Sequence, residues 1–509
     1  MFRRIRSYCL FGIKAVSVSV EVDAAQGLPG FTLVGLPDNA VRESRERVVS
    51  AIRSIGKVVT GFRTTVNLSP ADLRKEGSAL DLPLAIGLLV STGEIEIPQL
   101  ERYVFVGELS LDGLLKPVRG VLSIAMNLAT EHDCVLVIPR GNVQEASLVE
   151  GLHFVCADSL GECVEILERN SEHDVNIAKG MVSYSACAED GIPDFKNVVG
   201  MDAVKRALEV AAAGAHNFLL VGSPGAGKTL CAKCLPGILP EMTEQEILET
   251  TRIHSCARRA GDSDVFKPVF ARPFRSPHHS ASMVSLVGGG SRLMPGEASL
   301  AHNGVLFLDE LPEFNRNVLE ALREPMEEGQ ISVSRASGTV VWPARFMMGA
   351  AMNPCPCGYS MDSKRECTCL PEVRKRYREK ISGPLLDRID IQVSVPPVDP
   401  SMFAVKGRGE SSADIRRRVC AARAMQRERF RKLPFKSNAE MSSEYARKFA
   451  AMSPEVERFA VSAAAKMELS ARGYFRLLKV ARTIADLRDA PAVDIMDLSE
   501  ALRYRAFRG

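Results

Sequence analysis

The stretch Gly222-Ser-Pro-Gly-Ala-Gly-Lys-Thr229 has the residue types and the spacing needed to bind the phosphates of a nucleotide. It matches G-x-x-x-x-G-K-[ST], a loop whose glycines allow backbone N–H groups to converge on phosphate oxygens. Lys228 can neutralise the β- and γ-phosphates, and the hydroxyl of Thr229 can ligate Mg²⁺. The whole loop is therefore predicted to bind ATP, through Gly222, Ser223, Pro224, Gly225, Ala226, Gly227, Lys228 and Thr229.

A second motif, Gly304-Val-Leu-Phe-Leu-Asp309-Glu310, carries two adjacent carboxylates after four apolar residues. Asp309 would hold Mg²⁺ through water, and Glu310 would polarise the water that attacks the γ-phosphate. Alone, the pattern also fits a buried strand that ends in a solvated acidic turn. Its distance downstream of a phosphate loop favours the hydrolytic interpretation.

A polar side chain follows the next apolar run. Phe346-Met-Met-Gly-Ala-Ala351 is typical of a buried strand, and Asn353 comes just after it. An amide at this position can help to orient the attacking water. The alternative is a turn asparagine before Pro354; we favour the catalytic role.

Four cysteines follow within fifteen residues, as Cys355-Pro-Cys357 and Cys367-Thr-Cys369. Four thiolates suit tetrahedral Zn²⁺, although the C-x-C spacing is tighter than the usual C-x₂-C pairs. A structural Zn²⁺ is therefore predicted at Cys355, Cys357, Cys367 and Cys369. Four cysteines would close the coordination shell, so the site would not activate water.

The elements around these motifs favour an α/β core. The apolar run Asn217–Val221 predicts a strand before the phosphate loop, and Leu230–Leu235 is compatible with a helix after it. Residues 330–342 alternate on both sides of a Ser-Gly turn, which predicts a β-hairpin with Arg335 near its tip. Arg335 is a candidate for contacting DNA phosphates, or it is simply solvated.

Length and composition limit the class of protein. The 509 residues are enough for two or three domains, and the 46% hydrophobic content suits globular cores. The net charge of +3 means that any affinity for nucleic acid must come from local patches. The basic start is not a signal peptide, because Lys14, Glu21 and Asp23 interrupt the apolar stretch behind it. We expect a cytoplasmic protein without membrane contact, whose thirteen cysteines are thiols or metal ligands.

The chain divides into four predicted segments: an α+β domain over 1–165, a polar linker over 166–192, an α/β core over 193–395 and a helical lid over 396–509. In the first, strands are predicted at 15–22, 103–106 and 134–138, and helices at 39–55 and 80–90. The arginine-rich helix predicted at 413–432 is either a solvated face or part of a track for nucleic acid.

The chain resembles the magnesium-chelatase-like AAA+ family that includes the YifB and ComM proteins. The resemblance covers nearly the whole sequence and rests on these residues: Gly27-Leu-Pro, Val34-Gly-Leu-Pro37, Glu43-Ser-Arg-Glu-Arg-Val48, Lys75-Glu-Gly-Ser-Ala-Leu-Asp-Leu82, Gly107-Glu-Leu-Ser-Leu-Asp-Gly113 and Glu209-Val-Ala-Ala-Ala-Gly-Ala-His-Asn217. It implies an AAA+ P-loop ATPase core with a C-terminal helical lid. It also implies a first domain similar to the Lon protease domain, which has the ribosomal S5 domain 2-like fold.

Proteolysis is not expected of that first domain. Ser78 lies near the place of the Lon nucleophile, but Val121-Leu-Ser123 stands where the family comparison puts the activating lysine. A hydroxyl without a base is a weak nucleophile. Ser78 is therefore interpreted as a turn or helix-capping residue.

The resemblance also implies roles for several residues of the core and lid. Residues 272–300 correspond to an insert in helix 2 that projects toward a central channel, and His278 and His279 within it are given a structural or pore-loop role rather than a metal. Arg388, in Gly383-Pro-Leu-Leu-Asp-Arg-Ile-Asp390, corresponds to the arginine finger that reaches a neighbouring subunit's ATP. The alternative for it is an ion pair within the chain, with Asp387 or Asp390. Arg472 matches the sensor-2 arginine, and Arg476, one turn on, could substitute for it.

At the level of function, the resemblance implies a homo-hexameric ring motor that uses ATP and Mg²⁺. ComM-like members act on single-stranded and branched DNA as helicases that drive branch migration during natural transformation. The alternative is a remodeller of a protein partner, like the ATPase subunit of magnesium chelatase.

Overall fold

The computed structural model describes residues 1–75, 77–131, 133–180, 191–258, 266–290, 293–335, 338–362, 365–397 and 409–505. Within them, no helix is both long enough and apolar enough to cross a membrane. The chain builds a first α+β domain, an α/β core and a helical lid, as the sequence predicts.

The first domain is organised around an eight-stranded sheet of order β10-β9-β8-β5-β1-β2-β4-β3. Its strands are β1 Phe2–Phe11, β2 Lys14–Gln26, β3 Gly30–Val34, β4 Phe62–Ser69, β5 Tyr103–Phe105, β8 Val135–Pro139, β9 His153–Ala157 and β10 Asn176–Ile177, with a separate short pair β6 Glu108–Leu109 and β7 Leu115–Lys116. The helices are α1 Asn39–Ser54, α2 Asp81–Thr92, α3 Val121–Leu128, α4 Val143–Ala146 and α5 Leu160–Arg169. α2 is almost entirely buried, and it packs on β1 and β2.

The first domain continues into the stretch predicted to be a linker. α5 runs to Arg169 and buries Leu167, and β10 pairs antiparallel with β9. The predicted start of the linker at residue 166 is therefore wrong. A helix end and a two-residue strand give too short a pattern to detect in a polar segment. Residues 181–190, also within that prediction, lie outside the described part of the chain.

The core is a five-stranded parallel sheet of order β12-β15-β18-β11-β19. Its strands are β11 Phe218–Gly222, β12 Phe274–Arg275, β15 Val305–Leu308, β18 Met347–Met352 and β19 Ile391–Val395; two hairpins are formed by β13 Gly288–Gly289 with β14 Met294–Pro295 and by β16 Gln330–Arg335 with β17 Gly338–Pro343. The helices are α6 Asp202–Gly214, α7 Lys228–Cys234, α8 Glu244–Ala257, α9 Met283–Val287, α10 Glu297–Leu300, α11 Arg316–Ala321, α12 Arg323–Glu328, α13 Pro371–Arg378 and α14 Gly383–Leu386. Every residue of β11, β15 and β18 is buried, as expected for a parallel sheet covered on both faces.

Over residues 409–505, the described part of the lid, the α-helices are α15 Ser412–Arg429, α16 Ser443–Ala450, α17 Pro454–Lys466, α18 Ala471–Leu487 and α19 Ile495–Arg503. Each begins at a capping Ser or Asp whose side chain accepts a backbone N–H of the first turn. α15 and α18 both pack on α6 of the core, and one apolar cluster runs through all three helices.

The first domain docks on α8 through a buried polar network. The hydroxyl of Ser255 donates to Glu145 and accepts the N–H of Gly120 at 3.0 Å. Glu145 also accepts the N–H of Leu122 at 2.7 Å and the side-chain amide of Asn142 at 3.2 Å. This carboxylate is fully enclosed, and burial raises its pKa. The two domains are therefore joined by a specific contact.

A second contact lies beside the first. Arg252 of α8 donates to the hydroxyl of Ser123 and to the carbonyl of Ile13, each at 2.9 Å. The β1–β2 turn also touches the hairpin of β16 and β17. Phe11 and Ile13 pack in one apolar cluster with Val340 and Trp342. The first domain thus contacts two elements of the core.

Candidate nucleotide-hydrolysis site

The phosphate loop leaves the carboxyl end of β11, which lies between β18 and β19, and leads directly into α7. Gly225 and Gly227 have φ of +76° and +84°, a region that side chains disfavour. Gly222 is required for a different reason, because a Cβ there would lie 2.4 Å from the carbonyl oxygen of Val395. The predicted strand, loop and helix are confirmed.

The side chain of Lys228 lies against the phosphate loop. Its ammonium donates to the carbonyls of Gly222 and Ser223 at 2.7 and 3.0 Å, and to the side-chain oxygen of Asn353 at 3.1 Å. Burial lowers the pKa of Lys228, and the nearby Asp309 and Glu310 oppose this effect. The lysine is therefore held in place by acceptors that a phosphate oxygen can replace.

Two oxygen ligands for Mg²⁺ converge beside it. The hydroxyl of Thr229 donates to Asp309 across 2.6 Å. A hydroxyl and a carboxylate beside the phosphate loop are oxygen ligands of the kind that Mg²⁺ prefers. Thr229 and Asp309 would therefore hold the ion.

Glu310 contacts a histidine from a segment that lies upstream in the chain. Its backbone has φ of +53°, and its N–H donates to Asp309 at 2.9 Å. Its carboxylate lies 3.2 Å from Nδ1 of His279, which follows β12. The ring of His279 lies at a tilt to that of His278, with centroids 4.1 Å apart, and makes an edge-on contact with the ring of Phe314. His279 therefore contacts the predicted catalytic carboxylate.

Arg388 lies at the other end of the sheet. Gly222 pairs with Val395 and Phe218 with Ile391, and Arg388 precedes that strand. At ~3.3 Å per residue, β19 alone separates Arg388 from the phosphate loop by about 15 Å. Its guanidinium donates to the carbonyl of Pro384 at 2.7 Å and to the carboxylate of Glu327.

That ion pair gives Arg388 a partner within the chain, but it is neither Asp387 nor Asp390, the partners considered in the alternative interpretation. Glu327 precedes the β16–β17 hairpin, and the fold brings it close to a residue distant in sequence. The hydrogen bond from Arg388 lowers the pKa of Glu327.

Two lid arginines lie on the same edge as Arg388. Arg476 of α18 contacts Asp390 at 3.1 Å, and Arg472, one turn earlier, is exposed. Both add to the positive potential around Glu327. An open cleft of about 760 Å³ between core and lid is lined by Glu327, Asp390 and Arg476. The candidate sensor-2 arginines thus cluster with Arg388, away from this chain's own phosphate loop.

Asp390 connects this edge to the lid. Its other oxygen lies 3.2 Å from Nδ1 of His216, whose Nε2 lies 2.8 Å from the hydroxyl of Thr483 in α18. Burial alone would raise the pKa of Asp390, but Arg476 and His216 hold it below its ordinary value. Burial lowers the pKa of His216. Hydrogen bonds through His216 therefore connect α18 to the residue that precedes β19.

The four cysteines come together at the carboxyl end of the sheet, in the segment that follows Asn353. Their sulfur atoms all lie within 4.8 Å of one another, and this is the one cluster of potential metal ligands found within the described residues. The backbone N–H of Tyr359 lowers the pKa of Cys357 to about 5, which favours a thiolate ligand. The cluster can therefore bind a metal ion. His278 and His279 are not part of it.

Comparisons with known proteins cover the whole chain. Three family profiles match in succession: subunit ChlI of magnesium chelatase over residues 20–142, the family described as magnesium chelatase, subunit ChlI, over 194–403, and its C-terminal domain over 409–505. The competence protein ComM of Haemophilus influenzae is 42% identical over 99% of this chain and 97% of its own length. The chain belongs to the YifB/ComM family of magnesium-chelatase-like AAA+ proteins.

Other relatives agree with this assignment. The YifB protein of Salmonella typhimurium is 42% identical over 99% of this chain and 96% of its own length. The magnesium-chelatase 67 kDa subunit of Chlorobaculum parvum is 26% identical over 31% of this chain and 23% of its own length. The similarity to the YifB/ComM proteins is thus full-length, whereas that to the chelatase subunit is partial.

In the first domain of this YifB/ComM chain, the two positions compared with the catalytic residues of the Lon protease make structural contacts. Ser78 does not cap α2, whose N-cap is Leu80, and its hydroxyl donates to Glu108. Ser123 accepts the hydrogen bond from Arg252 of the core. Of the two interpretations of Ser78, helix capping is therefore wrong, whereas the turn is confirmed, because its carbonyl accepts the N–H of Asp81 at 3.1 Å. The position compared with the Lon lysine belongs to the contact between domains.

The sequence predicts a β-hairpin with Arg335 near its tip. The hairpin forms as predicted, and Arg335 is exposed at the end of β16. Its neighbour across the strands, Gly338, packs on Phe11, where a Cβ would lie 2.7 Å from the ring.

In α15, most arginines bond within the chain. The contacts are Arg416 with Glu241, Arg417 with Asp414, Arg418 with Glu209 and Glu410, Arg423 with the carbonyl of Ala212 and Arg429 with Asp486. These contacts favour a structural role for that helix over a nucleic-acid track.

Proposed function

We propose that the protein hydrolyses ATP and that each site is completed by a neighbouring copy in a closed ring. The observation that carries this proposal is the separation of two sets of groups. The phosphate loop, Thr229, Asp309, Glu310 and Asn353 meet at the carboxyl end of the sheet. The arginines that would stabilise the transition state lie at the opposite end.

Each group has a distinct chemical role. Lys228 binds the β- and γ-phosphates, and Thr229 and Asp309 hold the magnesium ion that neutralises phosphate charge. Glu310 orients and polarises the attacking water, helped by the amide of Asn353. Arg388 of one copy reaches the γ-phosphate of the next, with Arg472 or Arg476 beside it. Positive charge positioned where negative charge develops is the main source of catalysis in phosphoryl transfer.

A ring is the assembly that this arrangement favours. A contact between the phosphate-loop edge of one copy and the arginine edge of another is head-to-tail, and such contacts close into rings when the rotation allows. The family resemblance supports six copies. The motor would thus be a homo-hexamer, and the intrachain pair of Arg388 with Glu327 would be exchanged for the neighbour's phosphate.

DNA is the proposed substrate of the motor. The support is the full-length similarity to a relative named as a competence protein and the exposure of Arg335 at the hairpin. A basic contact to phosphates reads no sequence, as a translocating motor requires. By this proposal, the protein is a ComM-like helicase that drives branch migration of single-stranded and branched DNA during natural transformation. The second candidate, a chelatase-like remodeller of a protein partner, is supported by the family profiles.

One assay separates these classes. Hydrolysis of ATP is measured with no DNA, and with single-stranded, duplex and branched DNA, using Lys228→Ala as the inactive control. Stimulation by DNA, together with displacement of a strand from the branched substrate, is the expected result. Robust hydrolysis that no DNA alters would favour the remodeller, and hydrolysis no faster than that of Lys228→Ala would contradict the ATPase itself.

We also propose that the metal at the four cysteines is Zn²⁺ with a structural role. A site made of four thiolates has the composition of closed structural zinc sites. Elemental analysis of the purified protein tests the proposal, with one zinc per chain expected; a protein without metal would contradict it.

A further inference from the structure

The four thiols are already spaced as ligands of one tetrahedral ion. The sulfur of Cys355 lies 3.3 Å from that of Cys357 and 3.6 Å from that of Cys367, and those of Cys357 and Cys367 are 3.5 Å apart. Four sulfurs at ~2.3 Å from a central Zn²⁺ would be about 3.8 Å from one another. A disulfide would require a separation of ~2.05 Å. The arrangement thus fits a shared ion better than disulfides.

The segment that carries the two cysteine pairs, residues 355–369, is called the cysteine loop, and it contacts the phosphate loop. Gly358 is buried with φ of +86°, and a Cβ there would lie 2.4 Å from Cδ of Pro224. The hydroxyl of Ser223 donates to Asp362 at 3.3 Å. Ser223 and Pro224 are the second and third residues of the phosphate loop. The cysteine loop therefore packs directly on the residues that must surround the phosphates.

This cysteine loop contains few apolar residues besides its cysteines. Its contacts include the side chain of Arg365, which donates to the hydroxyl of Tyr359 at 2.9 Å and lies over that ring. Met361, one of its few apolar residues, is 44% exposed. A short loop with few apolar side chains buries little hydrophobic surface to offset the cost of ordering its backbone, about 1–2 kcal/mol per residue, so a bound metal would contribute to its order.

We propose that the metal held by Cys355, Cys357, Cys367 and Cys369 braces the phosphate loop, so that ATP binding depends on the metal. The ion joins the two ends of the cysteine loop, and Gly358 and Asp362 between them press on Pro224 and Ser223. Loss of the metal releases that contact and leaves the phosphate loop free to leave its binding conformation. This inference rests on the proposed ATP binding at that loop.

The test uses the full-length protein and two independent readouts. The first is the affinity for a fluorescent, non-hydrolysable ATP analogue in excess Mg²⁺, before and after removal of zinc with a zinc-selective chelator. The second is hydrogen exchange of the peptide covering residues 222–229 without nucleotide. Removing the metal should weaken analogue binding about two- to tenfold, the amount expected from losing one hydrogen bond and its ordering. It should also speed exchange of that peptide, and added zinc should reverse both effects.

Two variants distinguish the brace from general unfolding. Cys357→Ser should lose the metal and reproduce the stripped protein, whereas Cys420→Ser, a partly exposed thiol of α15, should change neither readout. Gly358→Ala should keep the metal yet weaken analogue binding, because its methyl group displaces the loop from Pro224. Gly151→Ala is the matched control, since Gly151 has φ of +76° but no atom within 4 Å of the added Cβ.

The outcomes separate this inference from the proposed function. A purified protein without metal, or a stripped protein with unchanged analogue affinity and unchanged exchange, would overturn the brace and leave the ATPase proposal intact. A metal-loaded protein that binds no analogue would contradict the ATPase proposal, and the exchange of residues 222–229 would still test the brace.

Discussion

Removing one hydroxyl from the contact between the first domain and the core should loosen that contact measurably. Ser255 is buried, and its hydroxyl both donates to Glu145 and accepts from the N–H of Gly120. Ser255→Ala leaves these two buried groups each without one partner. Leaving the N–H of Gly120 unsatisfied costs about 1–3 kcal/mol, and Glu145, which keeps the N–H of Leu122 and the amide of Asn142, loses one hydrogen bond worth about 0.5–1.5 kcal/mol, so the interface should lose about 2 kcal/mol. That corresponds to an opening equilibrium about 30-fold more favourable.

Hydrogen exchange followed by mass spectrometry measures this change. Peptides that cover α3 and α8 should exchange about 30-fold faster in Ser255→Ala, while peptides from the lid should not change. Ser499→Ala is the matched control, because within the described residues that hydroxyl donates to the carbonyl of Ile495 in its own helix and not to another element. Exchange of α3 and α8 within threefold of the parent would refute the role of Ser255 in this contact.

The same contact should depend on pH. Burial raises the pKa of Glu145, so closing the interface takes up a proton at pH values between the ordinary carboxyl range and the raised value. Protection of α3 and α8, corrected for intrinsic exchange, should be greatest below the ordinary range and should decrease as the pH rises through this window. Protection that increases with pH there would show that Glu145 is ionised and stabilised in the closed interface.

Three further predictions concern the hydrolysis site and the hairpin. Lys228→Ala should lose binding of the ATP analogue, whereas Glu310→Gln should bind it but hydrolyse ATP about 10²–10⁴-fold more slowly, and parent-rate turnover would contradict the role of Glu310. His279→Ala should free Glu310 and raise hydrolysis without DNA up to about fivefold, because an exposed polar contact between side chains is worth ~0–1 kcal/mol, and a fall in rate would mean that His279 supports the active position. Arg335→Ala should keep hydrolysis without DNA but lose DNA stimulation and flatten the salt dependence of binding by about one phosphate contact; unwinding at the parent rate would exclude this hairpin as the DNA contact.

Local patterns were enough to predict the elements that carry the motifs. The apolar run before Gly222 and the alternation on both sides of the Ser-Gly turn each fix a short piece of chain by its own periodicity. At both places the structure agrees with the prediction. Pairing between distant segments has no such signal. β1 forms ten residue pairs with β2, yet its start, Phe2-Arg-Arg-Ile-Arg6, does not look like a strand when seen alone.

Contacts between residues that are distant in the sequence could not be predicted from local patterns. His279 contacts Glu310 from a segment about thirty residues upstream, and Arg388 finds Glu327 rather than the aspartates beside it. The contact of Gly358 with Pro224 joins two motifs that the sequence presents as separate. A conspicuous His-His pair was the one visible sign of the first contact, and spacing alone could not say what it faced.

The most direct test of the account mixes two inactive variants. Arg388→Ala lacks the arginine finger, which is worth about 10³–10⁵ in rate in other NTPases, and Lys228→Ala lacks the phosphate clamp. In a mixed ring, a site can combine the intact loop of the first variant with the intact finger of the second. If subunits mix randomly in equal amounts, about one site in four is complete in a head-to-tail ring. Recovery of hydrolysis to roughly a quarter of the parent rate is predicted; no recovery in rings shown to contain both variants would contradict completion of the site by a neighbouring copy.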